Sequence, residues 1–147
     1  MSDRTLHDRQ VVTAFLRHQG KVLLLKRSEA VRSYQGRWAA VSGSLEESTP
    51  LAQAWREIRE ETGLSEADLR LVTAGPALEI VDTELATRWL IHPFLFDVER
   101  PSKIHLNWEH LECRWVEPAE LAQYQTVPAL GQTLAGCLQA EAGRLAD

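Results

Sequence analysis

The chain has 147 residues, of which 44% are apolar and 25% are charged, as is usual for a soluble globular domain. Its formal net charge of -5 argues against partners such as nucleic acid or an anionic membrane surface. The polar start, MSDRTLHDRQ, lacks the apolar core of a signal peptide, and no apolar run approaches membrane-spanning length. We therefore expect one cytoplasmic domain over residues 1–147.

The first elements predicted in the chain are a hairpin and a polar loop. Residues 11–15 and 21–25 are rich in β-forming side chains and are expected to turn near Gln19-Gly20. Residues 27–38, RSEAVRSYQGRW, are polar and arginine-rich, which indicates a loop. Residues 39–41 predict a short strand that leads into Ser42-Gly43-Ser44.

A helix is predicted next. Ser48 or Thr49 can cap its N-terminus, Pro50 suits its first turn, and Gly63 suits a left-handed C-cap. The expected inner stripe consists of residues that recur at helical spacing: Leu51, Ala54, Trp55, Ile58 and Thr62.

The second half predicts strands at residues 70–74, 77–81, 87–96 and 113–116, and a closing amphipathic helix at about 128–145. Pro93 predicts that the third of these strands is an edge strand or carries a bulge. The apolar run from Trp89 to Phe96 is then a candidate surface for a homodimer. Strands and helices in one small domain indicate a mixed β-sheet covered by helices, an α/β fold.

The stretch REIREETG places Glu57, Glu60 and Glu61 near the C-terminal end of the predicted helix. Like charges one turn apart cost about 0.2–0.5 kcal/mol per pair, and the helix dipole disfavours them further. A sequence that breaks local rules in this way often marks a functional site. The alternative is a solvated charged face on which Arg56 reaches Glu60.

Residues 43–64, GSLEESTPLAQAWREIREETGL, resemble the Nudix box, the signature of hydrolases that act on nucleoside diphosphates linked to another group. The second half of the box matches at every fixed position: Arg56, Glu57, Ile58, Glu60, Glu61, Gly63 and Leu64. The resemblance implies a MutT-like α/β/α sandwich with a mixed β-sheet and a pyrophosphohydrolase activity.

The first half of the box departs from the family pattern. The spacing from Gly43 to Arg56 is one residue short, so the upstream glutamate position falls on Ser48 or Thr49. Either Glu47 takes the missing place, or the site lacks that carboxylate.

The resemblance also implies the site residues. Glu57, Glu60 and Glu61 are the expected ligands of Mg²⁺ or Mn²⁺, which prefer carboxylate oxygens, and Arg56 is expected to orient these carboxylates. The general base is expected to be Glu57 or Glu60 within the box, or Glu109 in NWEHLECRWVEPAEL, for which the alternative is an exposed loop glutamate. His110, beside Glu109, is expected to be a surface residue.

The loop before the box supplies candidates for substrate binding. Arg27, Arg32 and Arg37 can each grip a phosphate with two N–H groups, and Tyr34 can stack on a base. The alternatives are solvated loop charges and an exposed loop tyrosine. Trp38 is expected in the core, because it opens an apolar strand.

The predicted function is metal-dependent hydrolysis of a phosphoanhydride bond in a nucleoside diphosphate derivative, with a small-molecule nucleotide as substrate. One alternative is a non-catalytic nucleotide-binding or interaction module on the same fold, which the shortened box favours. A weaker alternative is a prenyl diphosphate isomerase, which would need a reactive cysteine. Cys113 and Cys137 are expected to be reduced thiols and are poorly placed for that role.

Overall fold

The computed structural model describes residues 5–145, so residues 1–4 and 146–147 of the predicted domain lie outside the described part. Within that part the strands are β1 (His7–His18), β2 (Lys21–Arg27), β3 (Trp38–Ala39), β4 (Val41–Ser44), β5 (Leu69–Ala74), β6 (Leu78–Asp82), β7 (Thr87–Val98) and β8 (His110–Val116). The α-helices are α1 (Pro50–Thr62) and α2 (Leu130–Leu145), and short 3-10 helices span Pro101–Lys103 and Pro118–Gln123.

The eight strands form one mixed sheet. Its path runs β3-β2-β1-β7-β5, while β4 pairs with β1, β6 with β7, and β8 with β2. The long central pair, β1 and β7, is parallel, and the other pairs are antiparallel. The predicted hairpin turns at Gln19-Gly20, where both residues have positive φ. The prediction of a mixed sheet is confirmed.

Alternate residues of β1 face opposite sides of the sheet, as the two-residue repeat of a strand requires. Val12, Ala14 and Leu16 lie in the apolar core beneath α1, whereas Phe15 lies in the core beneath α2. The sheet is therefore covered by a helix on each face. The predicted α/β/α sandwich is confirmed.

The boundaries of α1 follow from its sequence. The Thr49 hydroxyl accepts a hydrogen bond from the Ala52 N–H, and Pro50 occupies the first turn. Gly63 has φ 77° and donates to the Arg59 carbonyl, which ends the helix in the predicted left-handed cap.

Of the two alternatives predicted from Pro93, the edge strand is wrong, and a bulge lies not at Pro93 but in the neighbouring strand, where the pairing of β5 with β7 shifts register between Leu71 and Thr73. β7 lies inside the sheet, with β1 on one side and β5 and β6 on the other. The Pro93 carbonyl accepts from Gly75, which lies between the end of β5 and the start of β6. Because the nitrogen and oxygen of a strand residue point to the same side, the Pro93 nitrogen faces Gly75, which lies outside both β5 and β6, so the missing N–H interrupts neither strand. The proposed dimer surface at 89–96 therefore loses its basis, since β7 is already paired on both sides.

Neither helix within residues 5–145 combines the length and the apolarity that crossing a bilayer requires.

Candidate active site

A pocket of about 390 Å³ lies between the sheet and the loop that follows β2. It is lined by loop residues 30–34, by residues 42–44 of β4, by Ile80, Trp89 and Ile91 of β6 and β7, and by Glu57 and Glu109. This volume falls within the range of small-molecule sites. Neither cysteine lines it: Cys137 is buried in the core and Cys113 is exposed on β8.

The glutamates of α1 lie on two sides of the helix. Glu57 and Glu61, here called the buried pair, are one turn apart and are only 8% and 1% exposed. Gln53, one turn earlier, is also buried, and its side-chain oxygen accepts from the backbone N–H groups of Glu46 and Glu47 at 2.8 Å. Sequence analysis did not single out Gln53, although its position four residues before Glu57 places both side chains on the same face of the helix.

The Glu57 side chain lies against β4 because residue 43 is glycine. A Cβ atom built at Gly43 would overlap the Glu57 carboxyl group. The backbone of Gly43 is fixed by pairing with Val12 of β1, so it cannot easily move away. Any side chain larger than that of glycine at position 43 would therefore displace the carboxyl group of Glu57.

Burial raises the pKa of both carboxyl groups of the buried pair. The pKa of Glu57 rises to about 7, mainly through burial and then through the nearby charges of Glu60 and Glu109. Burial also raises the pKa of Glu61 well above its ordinary value, with further contributions from Glu109 and Glu57. The charge of Arg27 opposes the rise in the pKa of Glu61 only in part, so an ionised pair at this position needs a further positive charge to stabilise it.

The donor set of the buried pair fits a hard divalent cation. Glu57 Oε2 and both carboxylate oxygens of Glu61 are buried and lack a hydrogen-bond partner of good geometry within the described residues, although the nearby Ser42 N–H partly offsets the rise in the pKa of Glu61. Among residues 5–145, no three Asp, Glu, His or Cys side chains are already gathered as a ligand cluster. Mg²⁺ is commonly bound through one or two carboxylates, with waters and substrate phosphates completing its shell, so two glutamates suffice.

Glu46, Glu47 and Glu60 form a second group, here called the exposed cluster, around Arg56. The guanidinium of Arg56 lies 3.0 Å from Glu60, 3.1 Å from Glu47 and 3.6 Å from Glu46. All three carboxylates are exposed. The structure therefore places Glu47, the candidate replacement for the missing box glutamate, on the solvent side of α1.

The segment before β8 closes the end of α1 and carries Glu109 to the pocket. The His105 N–H donates to the Thr62 carbonyl at 2.7 Å, and the Asn107 side chain donates to the Glu60 carbonyl at 3.0 Å. These bonds satisfy carbonyls that the helix end leaves free. The Glu109 N–H in turn donates to the Asn107 side chain. Burial raises the pKa of Glu109, and Arg27 opposes the rise.

The prediction that His110 is a surface residue is wrong. His110 is 6% exposed, and its Nε2 lies 3.6 Å from Oε1 of Glu61. Burial, aided by the charge of Arg27, lowers the pKa of His110 to about 4, so the ring is neutral at neutral pH. Its position depends on the pairing of β8 with β2, where His110 lies opposite Arg27, and no local pattern encodes that pairing.

The candidate binding residues of the loop fall into two groups. Arg27, Arg32 and Tyr34 line the pocket, and Arg27 is also fixed by a hydrogen bond to the Ser33 carbonyl at 3.0 Å. Arg37 is not among the lining residues; it is exposed and donates to the Thr126 carbonyl at 3.2 Å. Trp38 is buried in the core, as predicted. Trp89 and Trp108 also line the pocket, and sequence analysis did not assign them to it.

Comparison with known proteins agrees with this geometry. The family model described as the NUDIX domain matches residues 6–137. The chain belongs to the Nudix family. The Nudix-type pyrophosphohydrolase class predicted from the sequence is thereby confirmed.

Individual Nudix relatives match over nearly the full chain. It is 28% identical over 136 residues to the nucleoside triphosphatase NudI of Escherichia fergusonii, covering 88% of this chain and 96% of that protein. An Ap4A hydrolase of C. elegans has a similar fold, with a TM-score of 0.74 at 18% identity over 92% of this chain and 98% of that one.

A bifunctional NMN adenylyltransferase/ADP ribose pyrophosphatase from Francisella tularensis, complexed with AMP and a manganese ion, also shares the fold. Its TM-score is 0.73 at 21% identity, over 90% of this chain and 42% of that one. At these identities the two structures show the fold alone.

Proposed function

We propose that this Nudix enzyme hydrolyses a phosphoanhydride bond in a nucleoside diphosphate derivative and depends on Mg²⁺ or Mn²⁺. The buried pair carries the proposal: two carboxylates with unpartnered oxygens lie beside a pocket of small-molecule size. Proteins avoid burying such groups unless a charge compensates them. Similarity to NudI makes nucleoside triphosphates, which are nucleoside diphosphates linked to phosphate, the first substrates to test.

Each acidic residue has a proposed role. Glu57 and Glu61 hold the cation; the case for Glu60 as a further ligand is weaker, because its carboxylate pairs with Arg56 at 3.0 Å in the exposed cluster. A cation held there would neutralise charge on the phosphate oxygens and lower the pKa of a water molecule. Glu109 is the leading candidate for the general base because it lines the pocket and, unlike Glu57, is not proposed to hold the cation. Glu57 and Glu60 remain candidates for the same role.

The reaction is an in-line displacement at phosphorus. Water attacks one phosphorus atom, the bond to the bridging oxygen breaks, and two phosphorylated fragments leave. Arg27 and Arg32 bind the phosphate groups, since both line the pocket and arginine can grip phosphate with two N–H groups. The case for Arg37 as a phosphate ligand is weaker, because its guanidinium already donates to Thr126 outside the pocket lining.

The alternative function is nucleotide binding without catalysis. It draws support from the shortened first half of the box and from Glu47, whose carboxylate pairs with Arg56 at 3.1 Å on the solvent side of α1. A missing ligand would leave binding intact and lower the rate of hydrolysis.

The test is a hydrolysis assay with a panel of nucleoside triphosphates, ADP-ribose and dinucleoside polyphosphates, each with Mg²⁺ and with Mn²⁺. We expect turnover by the wild type and a loss of at least about 100-fold in Glu57→Gln and Glu61→Gln. Glu66→Gln, an exposed residue just past α1, is the matched control and should keep full activity. Ligand-induced stabilisation without hydrolysis under any of these conditions would favour the binding module, and unchanged turnover in both site variants would reject the site.

A further inference from the structure

A hydrogen bond joins the loop over the pocket to the β6–β7 hairpin. The Tyr34 hydroxyl donates to Oδ2 of Asp82 at 2.5 Å, across 48 positions of sequence. Loop residues 30–34 line one side of the pocket, and Ile80 and Trp89 of the β6–β7 hairpin line another. This bond therefore joins two walls of the same pocket.

The loop side of the bond is held in an uncommon conformation. Tyr34 has φ 54°, in the left-handed region that bulky residues seldom occupy. Such a conformation persists only where the surrounding contacts determine it. Here the Gln35 side chain donates to the Val31 carbonyl at 2.8 Å, and the Tyr34 carbonyl accepts from the Arg37 N–H. The loop thus presents its tyrosine in one orientation, toward the hairpin.

The hairpin side is fixed independently. Oδ1 of Asp82 accepts from the Leu85 N–H at 3.1 Å, which holds the carboxylate in the turn between β6 and β7. The hydrogen bond from Tyr34, followed by the one from Leu85, lowers the pKa of Asp82. Burial and the bond to Asp82 raise the pKa of Tyr34 to about 12. At neutral pH a neutral phenol therefore donates to an ionised carboxylate, a strong class of hydrogen bond.

We propose that Tyr34 and Asp82 form a clasp that sets the width of the pocket and so determines which ligand group it accepts. This specificity role rests on the proposed function of the same site. Val31, Ile80 and Trp89 give the clasped part apolar and aromatic walls, while Glu57 and Arg27 line the same pocket with charge. Such walls suit the face of a flat aromatic ring, and the charged residues suit phosphates, so the clasped part holds the base of a nucleotide.

The first test measures the clasp without any assay of activity. Trypsin can cut the loop after Arg32 and Arg37, both of which are exposed, and the rate of cutting reports the open population of the loop. We expect Tyr34→Phe to raise the cleavage rate about tenfold or more and Asp82→Asn to raise it less, because asparagine can still accept a weaker bond. Asp8→Asn, which removes the neighbouring surface pair with Arg88, is the matched control and should leave the rate unchanged.

The double variant shows whether the two residues act through one bond. If they do, Tyr34→Phe combined with Asp82→Asn changes the cleavage rate by no more than Tyr34→Phe alone. Additive effects would overturn the clasp. If Tyr34→Phe does not fold, Asp82→Asn with the tyrosine intact tests the same bond from the other side, and a wild-type cleavage rate in that variant would also overturn it.

The second test measures specificity by calorimetric binding of AMP, GMP, CMP and UMP, which need no hydrolysis. We expect the wild type to distinguish among the four, and the clasp variants to bind about fivefold or more weakly with smaller differences among bases. Wild-type Kd values in variants whose loop is cut faster would overturn the specificity role, as would a wild type that binds none of the four. This test measures binding and not turnover. A protein that binds nucleotides without hydrolysing them would therefore still give an interpretable result.

Discussion

The helix α1 carries glutamates on two sides that differ in both burial and pairing. On the solvent side, the exposed cluster surrounds Arg56, whose charge satisfies Glu47 and Glu60 at about hydrogen-bond distance. On the sheet side, the buried pair has carboxylate oxygens with no hydrogen-bond partner of good geometry within residues 5–145. The same residue type therefore lies in two different environments on one helix. The paired side connects the box loop to the helix, and the unpaired side is suited to a cation.

The largest effect that would test this comparison is expected at Gly43. An alanine there would overlap the carboxyl group of Glu57, so Gly43→Ala should move that ligand and lower hydrolysis by about 100-fold. Gly131→Ala is the control, since a Cβ at this position in α2 meets nothing within 4 Å. Steady-state rates of both variants decide the matter, and full activity in Gly43→Ala would mean that the position of Glu57 is unimportant.

The next largest effect is expected at His110. We expect its ring to support Glu61 of the buried pair, so His110→Leu should weaken Mn²⁺ binding and lower hydrolysis by about 10–100-fold. His110→Gln keeps an N–H donor and should recover part of both. Equal losses in the two variants would indicate that the site needs the shape of the ring and not its donor.

Replacing an unpaired buried carboxylate and replacing a paired one should change the melting temperature in opposite directions. Metal-free Glu61→Gln should melt about 3 °C above the wild type near pH 8, because it removes an unpaired buried carboxylate. Glu141→Gln should melt lower, since Glu141 pairs with Arg17 at 2.7 Å, a contact worth about 1 kcal/mol. Thermal unfolding of both variants measures the contrast, and a shift of the same sign in both would contradict it.

The contribution of Glu141 should also depend on pH. The hydrogen bond from Arg17 lowers the pKa of Glu141 below its unfolded value. The stabilisation is then present above the unfolded pKa, about 4.3, and is lost as the pH falls through the folded pKa. The difference in Tm between wild type and Glu141→Gln should therefore vanish in acid. If the difference in Tm persisted unchanged in strong acid, the ion pair between Glu141 and Arg17 would not be its cause.

The smallest effect is expected in the exposed cluster. Glu47→Gln removes one of several partners of Arg56 on the surface, so hydrolysis should change by less than about threefold. This variant also decides the open question of the shortened box. A loss as large as that of Glu57→Gln would mean that Glu47 moves into the site and replaces the missing glutamate.

Local patterns in the sequence were sufficient for much of the fold. The β-forming residues at 11–15 and 21–25 predicted the first two strands, and Thr49, Pro50 and Gly63 predicted the limits of α1. The edge-strand prediction from Pro93 was wrong because the rule for proline in strands considers a single strand and not its neighbours in the sheet. The tolerance of proline in β7 depends on the break between β5 and β6, which is a property of the assembled sheet.

The candidate site was harder to predict from the sequence, because it too depends on contacts between separate segments. The box resemblance made Glu57 and Glu61 candidate ligands, but helical periodicity counts glutamate as an outward residue and so could not predict that both are buried. The burial of His110 and the contact between Gly43 and Glu57 arise where separate segments meet across the sheet. Such contacts depend on tertiary packing, for which local propensity is a weak guide.

Calorimetric titration of Mn²⁺ into metal-free protein in the presence of a nucleotide tests the central claim most directly. We expect binding by the wild type, a loss of at least about 100-fold in affinity in Glu61→Gln, and less than about tenfold in Glu47→Gln. Equal affinity in the wild type and Glu61→Gln would contradict the assignment of the buried pair as the cation site.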